Sequence, residues 1–122
     1  MKKILMIEDN QALLELMKSK YQALDLEFLS LTYPPKNLIE VITNFLPDII
    51  SMDVTMPNMD GFTATKIIKT NSETKNIPIF FYTNMGRKQD VALGRALGAI
   101  GYFIKTENSP DEVVNWVKSF LG

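Results

Sequence analysis

The feature of this chain that most constrains its fold is a fivefold alternation of short apolar runs with segments of helical spacing. The apolar runs predict β-strands at Ile4–Ile7, Glu27–Thr32, Ile49–Asp53, Ile77–Thr83 and Ile100–Lys105. Apolar residues at helical spacing then predict five helices, within Leu13–Tyr21, Leu38–Phe45, Phe62–Ile68, Val91–Leu97 and Val113–Leu121. Because each link between strands is long enough for a helix, the strands must pair in parallel through right-handed crossovers. The sequence therefore predicts a doubly wound α/β fold.

Residues that favour helix ends mark several of these boundaries. Asn10 can cap the first helix, and Ser109-Pro110 places a capping serine and a first-turn proline at the start of the last one. Gly98 follows the fourth helix, where a left-handed cap residue is wanted. Gly94 lies inside that helix and costs about 1 kcal/mol relative to alanine. We therefore expect the fourth helix to be mobile.

Length and composition limit the class of protein. The 122 residues are 46% hydrophobic, which predicts one domain spanning residues 1–122. The 13 basic and 14 acidic residues form no long run of one sign, so neither nucleic acid nor a membrane surface is an expected partner. The absence of cysteine and histidine argues against disulfides, zinc sites, Ser-His-Asp triads and phosphohistidine carriers. The absence of cysteine also fits a cytoplasmic location.

Reactive side chains stand at the ends of four of the five predicted strands. Glu8 and Asp9 follow the first strand, Asp53 closes the third, Thr83 the fourth and Lys105 the fifth. Ligands of open α/β sheets bind outside the carboxyl ends of the strands, so we expect these side chains to meet. Asp53 alone could equally be a turn residue, and the acidic pair could serve a helix start. The convergence of all five favours a functional site.

These residue types suit one kind of chemistry. Three neighbouring carboxylates resist full ionisation unless a cation is present, and an all-oxygen site with the backbone carbonyl of Thr55 suits Mg²⁺. Lys105 can donate to one phosphoryl oxygen and Thr83 to another. The set predicts Mg²⁺-dependent transfer of a phosphoryl group to Asp53.

The order of these residues resembles one family, the response-regulator receiver domains of bacterial two-component signalling. The resemblance covers essentially the whole chain and rests on Glu8-Asp9, Asp53, Met56-Pro57, Asp60-Gly61, Thr83, Gly98-Ala99 and Lys105. It implies a flavodoxin-like sheet of five parallel strands in the order 2-1-3-4-5. It also implies a phosphoacceptor domain that assists its own phosphorylation and dephosphorylation, rather than an enzyme.

The resemblance also assigns roles. Asp53 would accept phosphate from a histidine kinase or phosphotransfer protein, and Thr83 and Lys105 would bind the phosphoryl group. Tyr102 is similar to the family's aromatic switch, with packing in the core as the alternative. The Mg²⁺ ligands would be the carboxylates of Glu8, Asp9 and Asp53 and the carbonyl of Thr55.

Phosphorylation is then expected to remodel the surface of the fourth helix, fifth strand and fifth helix. Trp116 and Phe120 could anchor an output partner or a second copy of the chain there, although core packing is the safer interpretation of Trp116. Three positions depart from the family pattern, and one of them is Gly94 inside the predicted fourth helix. Thr106 stands where a proline with a cis bond usually follows the lysine, and Met85 stands where many relatives carry a polar side chain.

Two alternatives remain open from the sequence. An aspartate-nucleophile phosphohydrolase generally needs a second acid two residues after the nucleophile, but Thr55 occupies that position. The other alternative is a receiver-like scaffold that binds partners without being phosphorylated. Nothing in the sequence favours the scaffold, because all the acceptor residues are present.

Overall fold

Five strands and five helices alternate along the chain in the computed structural model, which describes residues 1–122. The strands are β1 (Lys3–Ile7), β2 (Glu27–Leu31), β3 (Ile49–Met52), β4 (Ile79–Thr83) and β5 (Gly101–Ile104). The helices are α1 (Gln11–Gln22), α2 (Leu38–Phe45), α3 (Gly61–Thr70), α4 (Lys88–Ala96) and α5 (Pro110–Leu121). Every predicted element is present, with small differences at the strand ends. Strand β4, for example, begins after Pro78, which has no amide hydrogen to donate to a neighbouring strand.

The five strands form one parallel sheet in the order β2-β1-β3-β4-β5. This order confirms the doubly wound, flavodoxin-like fold. The chain leaves β1 toward β2 on one side and returns to β3 on the other, so the strand order reverses beside β1. Ile7 is in register with Met52, which brings the residues that follow β1 and β3 together at this switch point.

Helices cover both faces of the sheet and enclose two apolar layers. On one face α1 and α5 pack over the side chains of Ile4, Met6 and Phe80. On the other, α2 and α3 pack over Leu5 and Ile50, the latter from a strand that is buried throughout. Burial on both faces explains why the central strands are continuous apolar runs without alternation. None of the helices combines the length and apolar content needed to cross a membrane.

The predicted helix ends are confirmed. The Asn10 side chain accepts a hydrogen bond from the Leu13 amide at 3.0 Å, and Ser109 forms a capping box with Glu112 at the start of α5. Gly98 has a φ of 100°, the left-handed conformation expected after α4. All peptide bonds are trans, including the bond between Lys105 and Thr106.

Candidate functional site

Three carboxylates meet at the switch point between β1 and β3. Oxygen atoms of Glu8, Asp9 and Asp53 all lie within 4.8 Å of one another, with Glu8 and Asp53 buried and Asp9 exposed. Two backbone amides hold the buried acids in place. Val54 donates to Asp53 Oδ1 at 2.7 Å, and Asn10 donates to Glu8 Oε2 at 3.1 Å. The two buried acids are therefore held in place before any ligand enters.

The turn after β3 fixes the direction in which Asp53 faces. Gly61 donates its amide to the Val54 carbonyl at 2.8 Å, which folds the start of α3 back over the end of β3. Its backbone packs directly on the Asp53 carbonyl, so a Cβ atom at this position would collide with that oxygen. Only glycine fits such a close approach of two backbones. Gly61 therefore shapes the turn that follows Asp53.

Lys105 crosses from β5 to the acid cluster. Its Nζ lies 2.7 Å from Glu8 Oε1 and 3.3 Å from Asp53 Oδ2. Its backbone amide donates to the Thr83 carbonyl at 2.8 Å, which ties the lysine to the end of β4. Burial by itself lowers the pKa of the Lys105 ammonium, but hydrogen bonding and attraction to Glu8 and Asp53 outweigh this and raise it. The lysine is therefore a fixed positive charge beside Asp53.

The carboxyl group of Glu8 has a strongly raised pKa. Burial raises its pKa to about 7, and the charge of Asp53 acts in the same direction. The hydrogen bonds from Lys105 and the Asn10 amide oppose this rise without cancelling it. Ionisation of Glu8 is therefore unfavourable in this cluster as long as no cation is bound. A cation among these carboxylates would relieve that electrostatic cost.

A cleft of about 340 Å³ opens above the cluster, and every residue that lines it is polar. The lining residues are Glu8, Asp9, Asn10, Asp53, Thr55, Thr83, Asn84 and Lys105. The structure therefore brings together all the residues predicted for metal and phosphoryl binding. It adds Asn10 and Asn84, which the sequence reasoning did not assign to the cleft. The sequence signal that could have identified them is their position, since each directly follows a predicted site residue.

A hydrogen-bonded chain leads from Thr83 away from the cleft. The Met85 amide donates to Thr83 Oγ1 at 3.2 Å, and the Tyr102 hydroxyl donates to the Met85 carbonyl at 2.6 Å. The Tyr102 ring also packs on Phe81, with ring centroids 5.4 Å apart. The two interpretations of Tyr102 are therefore compatible, because the side chain both packs in the core and connects to Thr83.

Gly94 has a packing role that the sequence did not reveal. A Cβ atom there would lie 2.8 Å from the Tyr102 ring and 3.1 Å from Phe81. From the sequence alone, this glycine predicts only mobility in α4. The structure shows that it makes room for the Tyr102 ring between α4 and β5. Its cost in helix propensity is the cost of that close approach.

Trp116 faces inward on α5. Its ring packs edge-on against Phe80 and Phe103, with centroids 5.2 and 4.9 Å apart, and stacks on Phe120 at 5.7 Å. The core-packing interpretation of Trp116 is confirmed. Phe120 is exposed, as are Leu93 on α4 and Ile100 before β5. These three apolar side chains belong to the predicted output surface.

The comparisons with known proteins agree with this geometry. Residues 4–118 match the model of the response regulator receiver domain. The chain is 27% identical over 121 residues to the polar-differentiation response regulator DivK of Brucella ovis, covering 99% of this chain and 97% of that protein. It is 33% identical over 75 residues to a "Probable cyclic di-GMP phosphodiesterase" of Vibrio cholerae, covering 62% of this chain but only 17% of that protein. The Mn²⁺-bound form of the response regulator Rcp1 superposes with a TM-score of 0.80 at 25% identity, covering 99% of this chain and 94% of that one.

Proposed function

We propose that this chain, which belongs to the response regulator receiver domain family, is a signalling switch that accepts a phosphoryl group on Asp53. Phosphorylation-dependent switching is the general function of receiver domains, which are generally phosphoacceptors rather than catalytic enzymes. The donor is a histidine kinase or phosphotransfer protein in the cytoplasm. The observation that carries the assignment is the position of Asp53 Oδ2, 3.3 Å from Lys105 Nζ in a polar cleft.

The reaction follows from the groups around Asp53. A carboxylate oxygen of Asp53 forms a bond to phosphorus while the phosphorus–nitrogen bond of the donor phosphohistidine breaks. The electron pair of that bond stays on the imidazole nitrogen, which then takes up a proton. Lys105 and the Thr83 hydroxyl donate to the phosphoryl oxygens and offset their charge. Because positioning supplies most of the catalysis in such a transfer, the fixed geometry of the cleft is its main contribution.

Mg²⁺ fits the donor set of this cleft. The ligands would be carboxylate oxygens of Glu8, Asp9 and Asp53 and the carbonyl of Thr55, an all-oxygen set of the kind that Mg²⁺ prefers. When bound, the ion would neutralise the carboxylates and the incoming phosphoryl oxygens. The raised pKa of Glu8 and the Mn²⁺-bound form of Rcp1 both support a cation site here.

The output follows from the connection between Thr83 and Tyr102. Movement of the Thr83 hydroxyl toward a phosphoryl group would break its bond with the Met85 amide and alter the Met85 carbonyl that holds Tyr102. Tyr102 packs against Gly94, so the change reaches α4. The exposed apolar residues of α4, β5 and α5 would then bind an output partner or a second copy of the chain.

Chemical phosphorylation tests the acceptor assignment. Acetyl phosphate with Mg²⁺ should add one acid-stable, base-labile phosphate to the protein, measured by intact mass. Asp53→Asn should take up none, because an amide oxygen is a poor nucleophile. Asp60→Asn is the matched control, since Asp60 is an exposed acid in the same loop whose capping role asparagine can keep. Stoichiometric phosphate on the Asp53 variant would show that the assignment is wrong.

Calorimetric titration tests the metal site separately. Asp9→Ala and Asp53→Ala should each lose most of the Mg²⁺ affinity, because each removes a charged oxygen ligand. Unchanged binding in both variants would remove the metal assignment.

Amide hydrogen exchange with and without beryllofluoride tests the output. Changes should concentrate in residues 84–97 and around Tyr102, whereas changes confined to the loops at Glu8 and Asp53 would contradict the proposed transmission.

A further inference from the structure

The loop between β5 and α5 carries Lys105 to the cleft and has no proline to fix its path. Hydrogen bonds fix it instead. Asn108 closes the loop as a turn. Its backbone amide donates to the Ile104 carbonyl at 2.9 Å, and its side-chain Oδ1 accepts from the Ile104 backbone amide at 3.3 Å. The Lys105 amide donates to the Thr83 carbonyl at 2.8 Å. The loop is thus closed on itself and tied to β4 at its first residue.

Tyr82 ties the same loop to β4 at its other end. It precedes Thr83 on the strand, so its side chain projects from the opposite face of the sheet, where it is only 2% exposed. The Tyr82 hydroxyl donates to the Asn108 carbonyl at 3.2 Å. A side chain from β4 therefore holds the end of the loop, while the β4 backbone holds its beginning.

The Tyr82 ring also lies close to the lysine side chain. Lys105 Nζ is 5.9 Å from the centre of the ring, within the range of a cation–π interaction. Tyr82 does not line the cleft, so it cannot touch a phosphoryl group there. An effect of Tyr82 on the reaction is therefore indirect, and Lys105 is the cleft residue whose ammonium lies over its ring.

We propose that Tyr82 and Asn108 are positioning residues that hold the Lys105 ammonium toward Asp53. This inference rests on the proposed function, in which Lys105 binds the phosphoryl group. Without the Tyr82 and Asn108 hydrogen bonds, the long lysine side chain would sample more conformations, and the entropy of fixing it would weaken its contact with the phosphoryl oxygens.

A double-mutant cycle with Lys105→Met tests the inference. Tyr82→Phe removes the hydroxyl and keeps the ring, whereas Tyr82→Leu removes both. Tyr82→Phe and Asn108→Ala should each slow phosphorylation by acetyl phosphate by about two- to tenfold, the value of one hydrogen bond. Tyr82→Leu should slow it further. In the Lys105→Met background none of these changes should have an effect, because there is no ammonium left to position.

One further measurement and one control variant separate positioning from a general structural role. Fluorine NMR of the beryllofluoride complex should shift in folded Tyr82→Phe toward the spectrum of Lys105→Met, because fluorine would contact the ammonium less. Tyr21→Phe is the matched control, since Tyr21 is a buried tyrosine in the same apolar layer whose hydroxyl has no partner. It should leave both the rate and the spectrum unchanged.

The outcomes distinguish this inference from the function on which it rests. Equal slowing by Tyr82→Phe in both backgrounds, or no slowing in either, would overturn the positioning role while Asp53 remains the acceptor. An unchanged rate in Lys105→Met would overturn both the positioning role and the proposed role of Lys105. Failure of the unmodified chain to take up phosphate would overturn the proposed function itself.

Discussion

Replacing Glu8 with glutamine should make the metal-free protein more stable at neutral pH, although the change removes an ion pair with Lys105. Glu8 is buried, and burial followed by the charge of Asp53 raises its pKa from 4.5 to about 7. The folded protein therefore binds a proton at Glu8 more tightly than the unfolded chain does. Between pH 4.5 and about pH 7, raising the pH lowers the free energy of unfolding, because Glu8 loses its proton more easily in the unfolded state.

The size of this effect follows from the shift in pKa. A difference of one pKa unit is worth about 1.4 kcal/mol, so the free energy of unfolding should fall by about 2 to 3 kcal/mol between about pH 5 and pH 8 on account of Glu8. Glutamine resembles the protonated acid and carries no such dependence. The Glu8→Gln and unmodified proteins should have similar stability at the acidic end and diverge as pH rises.

Urea unfolding across this pH range, with a chelator present, measures the difference directly. Subtracting the two curves cancels the titration of the groups distant from Glu8, so the remaining pH dependence belongs to Glu8 and the charges that interact with it. A difference that stays constant with pH would refute the reasoning, because Glu8 would then have the same pKa in both states. If instead the unmodified protein gains stability relative to Glu8→Gln as the pH rises, the ion pair with Lys105 dominates and lowers the pKa of Glu8.

Three further predictions concern other contacts. Met85→Gln should speed the loss of phosphate from Asp53, because the amide could orient an attacking water, and a slower or unchanged rate would contradict this. Gly94→Ala should lower the free energy of unfolding despite the gain of about 1 kcal/mol in helix propensity, since the new Cβ would lie 2.8 Å from the Tyr102 ring. Chemical denaturation measures this, and the gain should return in a Tyr102→Ala background. Tyr21→Phe should leave stability unchanged or raise it by up to about 1 kcal/mol, because the hydroxyl is buried without a partner. A clear loss of stability would mean that the hydroxyl has a partner after all.

Short sequence patterns predicted the strands, several helix ends and the site residues of this protein. The five apolar runs determined the strands because a strand buried on both faces needs a continuous apolar segment. Asn10, Gly98 and Ser109 marked helix ends because capping is a contact between residues a few positions apart. The site residues could be predicted because parallel strands place their carboxyl ends at one edge of the sheet, whatever the details of packing.

Only the tertiary structure decided which distant side chains touch. Glu8 and Lys105 stand 97 positions apart, and their ion pair at 2.7 Å depends on the register of the whole sheet. The meaning of Gly94 was hidden because a glycine signals either flexibility or close approach, and only the position of the Tyr102 ring distinguishes them. The bond from Tyr82 to Asn108 was equally invisible, because a tyrosine in an apolar strand gives no sign of where its hydroxyl points. Local sequence determines elements and edges, whereas contacts between elements arise from packing in three dimensions.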